Sequence, residues 1–333
     1  MKRSSFARLN VIFLLLSVAS APGAAAKWKY FRSGAPEDKV ATPRGGFALM
    51  GGGPSQDAAF KFLCNRANGG DFLILRANTE DEYAQQVNKE VQGICPLNSV
   101  ATIVFTERED PEDPKIVDII GHAESIFIAG GDQSNYVRFW QDTSIQDALN
   151  RHIAANKPIG GSSAGLAILG EFSFASIIDT IYSPEALADP YGNKITISRD
   201  FLRIPLLAGT ITDTHFSKRD RMGRLLVFMA RILQDNWASR VRAIAVDENA
   251  AVLVELNGVA AVVGADSAYF LQANSKPEIC RRKTPLQFSK ISVHRARSGE
   301  TMDVKSWKSE QGEDYVLSVA GGKVKSTSKN GIY

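Results

Sequence analysis

The sequence predicts an α/β fold: a doubly wound, mostly parallel sheet with helices on both faces, plus a small β-rich appendage at the C-terminal end. Three observations predict it. From Gly46 onward, apolar runs of four to six residues alternate with helix-patterned segments, as strands buried on both faces require. Glycine-rich turns recur where these runs end, at Gly51-Gly52-Gly53, Gly130-Gly131 and Gly161 to Gly165. The 333 residues are enough for one large domain with a full core.

At the N-terminal end, Lys2, Arg3 and Arg8 precede an apolar run from Val11 to Val18, and Ala24-Ala25-Ala26 offers a small-residue cleavage site. Residues 1–26 therefore read as a secretory signal peptide, with the run too short to span a bilayer and a mature chain starting near Lys27, in a periplasm or outside the cell. The formal net charge is +3, and the three basic residues of that stretch account for all of it. A neutral mature chain argues against nucleic acid or an anionic membrane as partner. The expected organisation is an α/β domain over residues 27–276 and the appendage over 277–333.

The strand Gly46 to Met50 leads through Gly51-Gly52-Gly53-Pro54 into a helix from Asp57 to Arg66. These glycines lack the spacing of a dinucleotide fingerprint, and no Gly-Lys-Ser/Thr follows them, so they are expected to form a tight turn walling a site. A strand from Phe72 to Leu75, a helix from Glu80 to Gly93 and a strand from Val100 to Phe105 come next. Cys64 and Cys95 fall near the ends of the two helices, at one end of a parallel sheet; a Cys64–Cys95 disulfide with Cys280 free is expected, three buried thiols being the alternative. A charged loop from Glu107 to Pro114, a helix to Ala123 and the strand Ser125 to Ala129 lead to Gly130-Gly131-Asp132-Gln133, then helices to Asn156.

The stretch Lys157 to Ala167 is a short apolar strand running into Gly161-Ser162-Ser163-Ala164-Gly165 and a helix start. That is the pattern of a nucleophile elbow, with Ser163 as nucleophile and small neighbours that let a carbonyl approach. The Ala164 N–H can serve an oxyanion at the helix N-terminus, and Gly131 can bring a second N–H beside it. The same pentapeptide also suits an ordinary tight turn. Of four histidines, His152 lies within the amphipathic helix Ser144 to Asn156, His122 at a helix end, and His294 in the charged C-terminal segment. His215 ends the strand that runs through Leu206 to Asp213, where a base facing Ser163 belongs, although a structural role is the commoner one for such a residue. Arg221 and Arg224 follow on one helical face while Arg219 points elsewhere, a solvated face or a guanidinium fork for a carboxylate. The strand Ala243 to Val246 ends in Asp247-Glu248-Asn249, and Glu248 can orient the imidazole.

Gly130-Gly131-Asp132-Gln133, Gly161 to Gly165, Ser198-Arg199-Asp200-Phe201-Leu202, Asp213-Thr214-His215-Phe216 with Arg219, Arg221 and Arg224, and Asp247-Glu248, in this order over residues 45–275, resemble the cyanophycinase branch of the cyanophycinase and aspartyl dipeptidase serine peptidases. The resemblance implies a fold like that of class I glutamine amidotransferases. It implies Ser163 as nucleophile, His215 as base, Glu248 as acid and an oxyanion hole from Gly131 and Ala164. It also implies a pocket lined by Gln133, Asp213, Arg219, Arg221 and Arg224. The substrate so implied is cyanophycin, a poly-aspartate bearing arginine through β-linked amides, cut to β-Asp-Arg dipeptides. Two departures bear on it: Thr214 stands where such enzymes usually carry Gln, and the segment between Arg224 and Glu248, with Asp235-Asn236-Trp237, is longer.

Two other readings share these residues. An α/β-hydrolase esterase takes its partners in the order Ser, acid, His and would use His294; a non-catalytic exported binding protein would keep only the pocket. No Cys/His cluster has metal-ligand spacing, and no cofactor is expected. The appendage is expected to pack on the main domain or on a second subunit of a homodimer.

Overall fold

The computed structural model describes residues 28–54, 57–77 and 81–333. The expected signal peptide lies outside the described residues, and no described helix is long and apolar enough to cross a membrane. The α/β class and the parallel central strands hold, but the strands form two sheets rather than one. The first runs in spatial order through Lys29–Gly34, Ser99–Val104, Asp71–Arg76, Ser125–Ile128, Ile159–Ser162, Phe47–Met50, Ala250–Val254, Val259–Gly264 and Thr301–Asp303. Its five central strands, Ser99–Val104 to Phe47–Met50, are parallel to one another. The second runs through Lys323–Ser326, Glu313–Ala320, Thr284–Ala296, Ala268–Ala273, Val241–Val246, Thr210–Asp213, Phe172–Phe174 and Ile197–Arg199, with Thr210–Asp213 parallel to both of its neighbours.

The chain crosses between the sheets at Asp247-Glu248-Asn249. Val241–Val246 pairs in the second sheet and Ala250–Val254 in the first, so three residues must turn the corner. Backbone bonds stitch this corner to the first glycine turn: Gly51 N–H donates to the Ala250 carbonyl at 3.0 Å, and Asn249 N–H to the Gly52 carbonyl at 3.2 Å. A Cβ on Gly51 would lie 1.9 Å from the Asp247 carbonyl oxygen, so only glycine permits the approach. One core spans the seam, joining Leu49, Ile128 and Leu166 to Val246 and Phe270.

The stretch beyond residue 277 is β-rich as expected, yet it continues both sheets instead of standing apart. Thr284–Ala296 adds to Ala268–Ala273, and Thr301–Asp303 adds to Val259–Gly264. Period-two alternation turns Leu286, Phe288, Leu317 and Val319 inward, into the same core as the buried side chains of the helix Met222–Gln234. Cys64 and Cys95 are bonded, with Cα atoms 6.4 Å apart, and Cys280 is free and buried. The link ties the end of helix Asp57–Arg66 to the residue after helix Asp81–Ile94.

Candidate active site

The elbow forms as its glycines require. Ser163 has φ 52° and ψ −116°, between strand Ile159–Ser162 and the short helix Ala164–Ala167. A positive φ at serine is held by its surroundings, at a cost of about 1 to 3 kcal/mol. Here Ser163 N–H donates to the Met50 carbonyl at 3.1 Å, and its own carbonyl accepts from Ala167 N–H at 2.9 Å. A Cβ on Gly165 would sit 2.0 Å from the Ile128 oxygen and one on Gly161 2.5 Å from the Gly165 backbone, so the flanking glycines let helix and strand touch.

His215 follows the strand Thr210–Asp213 at φ 46°, anchored by its N–H to the Gly51 carbonyl at 2.8 Å. Its Nε2 lies 2.7 Å from Ser163 Oγ, and its Nδ1 2.7 Å from Glu248 Oε1. The serine thus comes from the first sheet, the imidazole from the second, and the carboxylate from the corner between them. Gly52, at φ 103°, packs against the ring so closely that a Cβ would lie 2.4 Å from His215 Cε1; the glycine turn is a wall of the site.

Burial pushes the His215 pKa down, helped by the Arg219 and Arg221 charges and opposed by Glu248. Glu248 is held below the usual glutamate range by hydrogen bonds from Lys218, whose Nζ lies 2.6 Å from Oε2, and from His215. Beside Ser163, the Gly130-Gly131 turn leaves space: a Cβ on Gly130 would meet Ser163 Cβ at 3.4 Å. Ala164 opens its helix, so its N–H has no partner within that helix. Gln133 opens the helix Gln133–Trp140 and donates to the Phe174 carbonyl at 3.4 Å.

A family comparison covers this constellation: the model of peptidase family S51 matches residues 72–259, from the second parallel strand past the corner. The chain belongs to peptidase family S51. Among curated proteins it is 25% identical over 209 residues to a cyanophycinase of Synechococcus elongatus, covering 62% of this chain and 60% of that one. It is 25% identical over 173 residues to a cyanophycinase of a Nostoc species, covering 50% and 51%. The chain thus matches about three fifths of the length of the first relative. A crystal structure of a peptidase from an acI-B1 Actinobacterium shares the fold, with TM-score 0.54 and 15% identity over 79% of this chain and 98% of that one.

Within this S51 chain the three arginines separate. Arg224 and Asp213, each about 2% exposed, take one another in a two-pronged pair at 2.5 and 2.9 Å. Arg221 lies 3.6 Å from the same carboxylate and donates to the Thr214 carbonyl at 2.8 Å and hydroxyl at 3.0 Å; burial pushes it down to about 10. Arg219 is exposed, 3.9 Å from Glu248 Oε1. The helix begins at Met222, later than the sequence suggests, because residues 216–220 form a turn tied to Asp247 through Ser217 N–H at 2.7 Å. Lys218 escaped the sequence reading because it looks like one more charge in a charged run.

Two other expectations fall elsewhere. His294 pairs through Nδ1 with Asp314 at 2.8 Å, on a strand of the second sheet, and makes no bond to Ser163. Trp237 stacks on Phe172 beneath Arg199 and precedes the strand Val241–Val246. That is the amino end of the strands, opposite the end that carries His215.

Proposed function

We propose that this S51 chain is a serine exopeptidase, exported by residues 1–26 to a periplasm or the outside, that hydrolyses cyanophycin or a similar β-aspartyl peptide. The observation that carries it is the unbroken chain of hydrogen bonds from Ser163 Oγ through His215 to Glu248, 2.7 Å at each step. His215 Nε2 takes the Ser163 proton as Oγ bonds to the scissile carbonyl carbon, then gives it to the leaving amine as the C–N bond breaks. Water, deprotonated by the same nitrogen, releases the acyl group and restores Ser163. The N–H groups of Gly131 and Ala164 receive the oxyanion at a helix start, and Glu248 holds the imidazole and its charged form.

Gln133, Asp213, Arg219, Arg221 and Arg224 form the pocket in unequal ways. Arg219 and Arg221 offer charge to a substrate carboxylate, whereas the Asp213–Arg224 pair, buried and mutually satisfied, shapes the floor beneath Arg221. The support for the substrate is this cationic rim and the cyanophycinase relatives. The test is incubation of the mature chain and Ser163→Ala with insoluble cyanophycin while soluble β-Asp-Arg is followed by mass spectrometry. Release by the wild type alone is expected. Absence of dipeptide from both proteins would remove cyanophycin as substrate, and a panel of β-aspartyl peptides would then show whether Thr214 has retuned the pocket.

A further inference from the structure

Glu248 has two carboxylate oxygens, and both are taken. Oε1 faces His215 Nδ1 at 2.7 Å, and Oε2 accepts from Lys218 Nζ at 2.6 Å. We propose that Lys218 is a positioning residue, locking the Glu248 carboxylate in the plane that His215 needs; this role rests on the serine-peptidase reading above. The terminal torsion of a glutamate is broad and roughly two-fold, so one hydrogen bond alone leaves the group free to swing. A second partner on the other oxygen fixes the plane, and with it the ring bonded to Oε1.

Lys218 is built to reach that oxygen from the turn that carries the base. Arg219 N–H donates to the His215 carbonyl at 3.1 Å and Asp220 N–H to the Ser217 carbonyl at 3.0 Å, while Ser217 N–H holds Asp247. Base, lysine and the corner carrying the acid are therefore tied together by hydrogen bonds. The lysine side chain is 71% exposed and the carboxylate 11%, so the ion pair closes the solvent side of Glu248. The charges facing His215 are Glu248, Arg219 and Arg221, with Asp213 behind Arg221; those facing Glu248 are Lys218, Arg219 and the imidazole, with Asp247 beneath the turn.

The experiment follows the rate at which a fluorophosphonate labels the full chain across pH, a reaction that needs no knowledge of the natural substrate. Ser163 Oγ bonds to phosphorus, fluoride leaves, and the proton passes through His215 to water. Wild type, Ser163→Ala, Lys218→Met, Lys218→Arg, Glu248→Gln and the Lys218→Met/Glu248→Gln double variant are compared. Lys218→Met should label about two- to fivefold more slowly, the range of an exposed ion pair. Its acidic limb should move to higher pH, because one cation fewer opposes the charged imidazole. Lys218→Arg should restore rate and limb, and in the Glu248→Gln background Lys218→Met should slow labelling no further, since its effect on rate passes through the carboxylate. Wild-type rate and limb in Lys218→Met would overturn the proposal, as would an equal drop in both backgrounds. Labelling of Ser163→Ala at the wild-type rate would instead sink the serine-peptidase reading itself.

Discussion

His215 and His294 each turn Nδ1 to a carboxylate, Glu248 at 2.7 Å and Asp314 at 2.8 Å, and both imidazoles are buried. They part at the acid and at the other ring nitrogen. The Glu248 side chain is 11% exposed, whereas that of Asp314 is 81% exposed. His215 Nε2 meets Ser163, whereas His294 Nε2 is buried with no hydrogen-bond partner among the described residues. Backbone position explains the difference. His294 sits inside a strand paired on both sides, directly across from Asp314, so its carboxylate is a cross-strand neighbour. His215 lies past a strand end at the seam of two sheets, where a loop can aim the ring at a residue from the other sheet. A His–acid pair is thus common stock; what gives it chemistry is where the second nitrogen points.

Substitution of the two histidines should break the symmetry most sharply. His215→Ala is expected to lower peptide hydrolysis by about 10⁴-fold or more, the loss usual for a triad base, and His294→Ala to leave it within about twofold while costing stability, since it opens a buried space. Activity assays beside urea titrations separate the two effects; a large rate loss in His294→Ala with the fold intact would restore the esterase arrangement. The acids give the next largest contrast. Glu248→Gln should cost about 10³- to 10⁴-fold in kcat, through loss of the imidazole's orientation, whereas Asp314→Asn, at an exposed position, should cost essentially none. Equal effects of the two would mean that burial of the acid plays no part.

Much of this site can be read from residue types at strand ends. Ser163, His215 and Glu248 each end an apolar run, and carboxyl ends of parallel strands are where ligands bind, so the strand-end placement of each residue is legible once the runs are recognised. The division into two sheets is not legible, because it depends on three residues, Asp247 to Asn249, turning between partners that no local pattern names. The strand Lys29–Gly34 is also hidden: its alternation is weak, and it is held by pairing to Ser99–Val104. Arg221, just before the helix, and Arg224 both reach Asp213, as their spacing of three suggests, but that Arg224 would be consumed by Asp213 depends on burial, which charge patterning does not report. The Cys64–Cys95 link is readable only because both cysteines fall at one end of parallel elements.

A third histidine sharpens the comparison through pH. His152 is buried without a carboxylate; its Nε2 faces the Pro158 carbonyl at 3.0 Å, and burial pushes it from 6.5 down to about 3. For His215 the same burial acts, but Glu248 opposes it. Both rings are therefore neutral in the folded chain at pH values where an unfolded chain binds protons, so both contribute stability that is full above 6.5 and is lost as the pH falls. For His152 the loss continues down to about 3, at no more than about 1.4 kcal/mol per pH unit. His152→Gln should therefore flatten the fall in urea midpoint between 6.5 and 3, whatever it does to the midpoint at neutral pH. The catalytic consequence belongs to His215 alone: as a base it must be neutral, and its lowered pKa places the acidic limb of kcat/KM below 6.5. A limb above 6.5 would show that Glu248 outweighs burial and the two arginines, reversing the balance that separates His215 from a histidine in water.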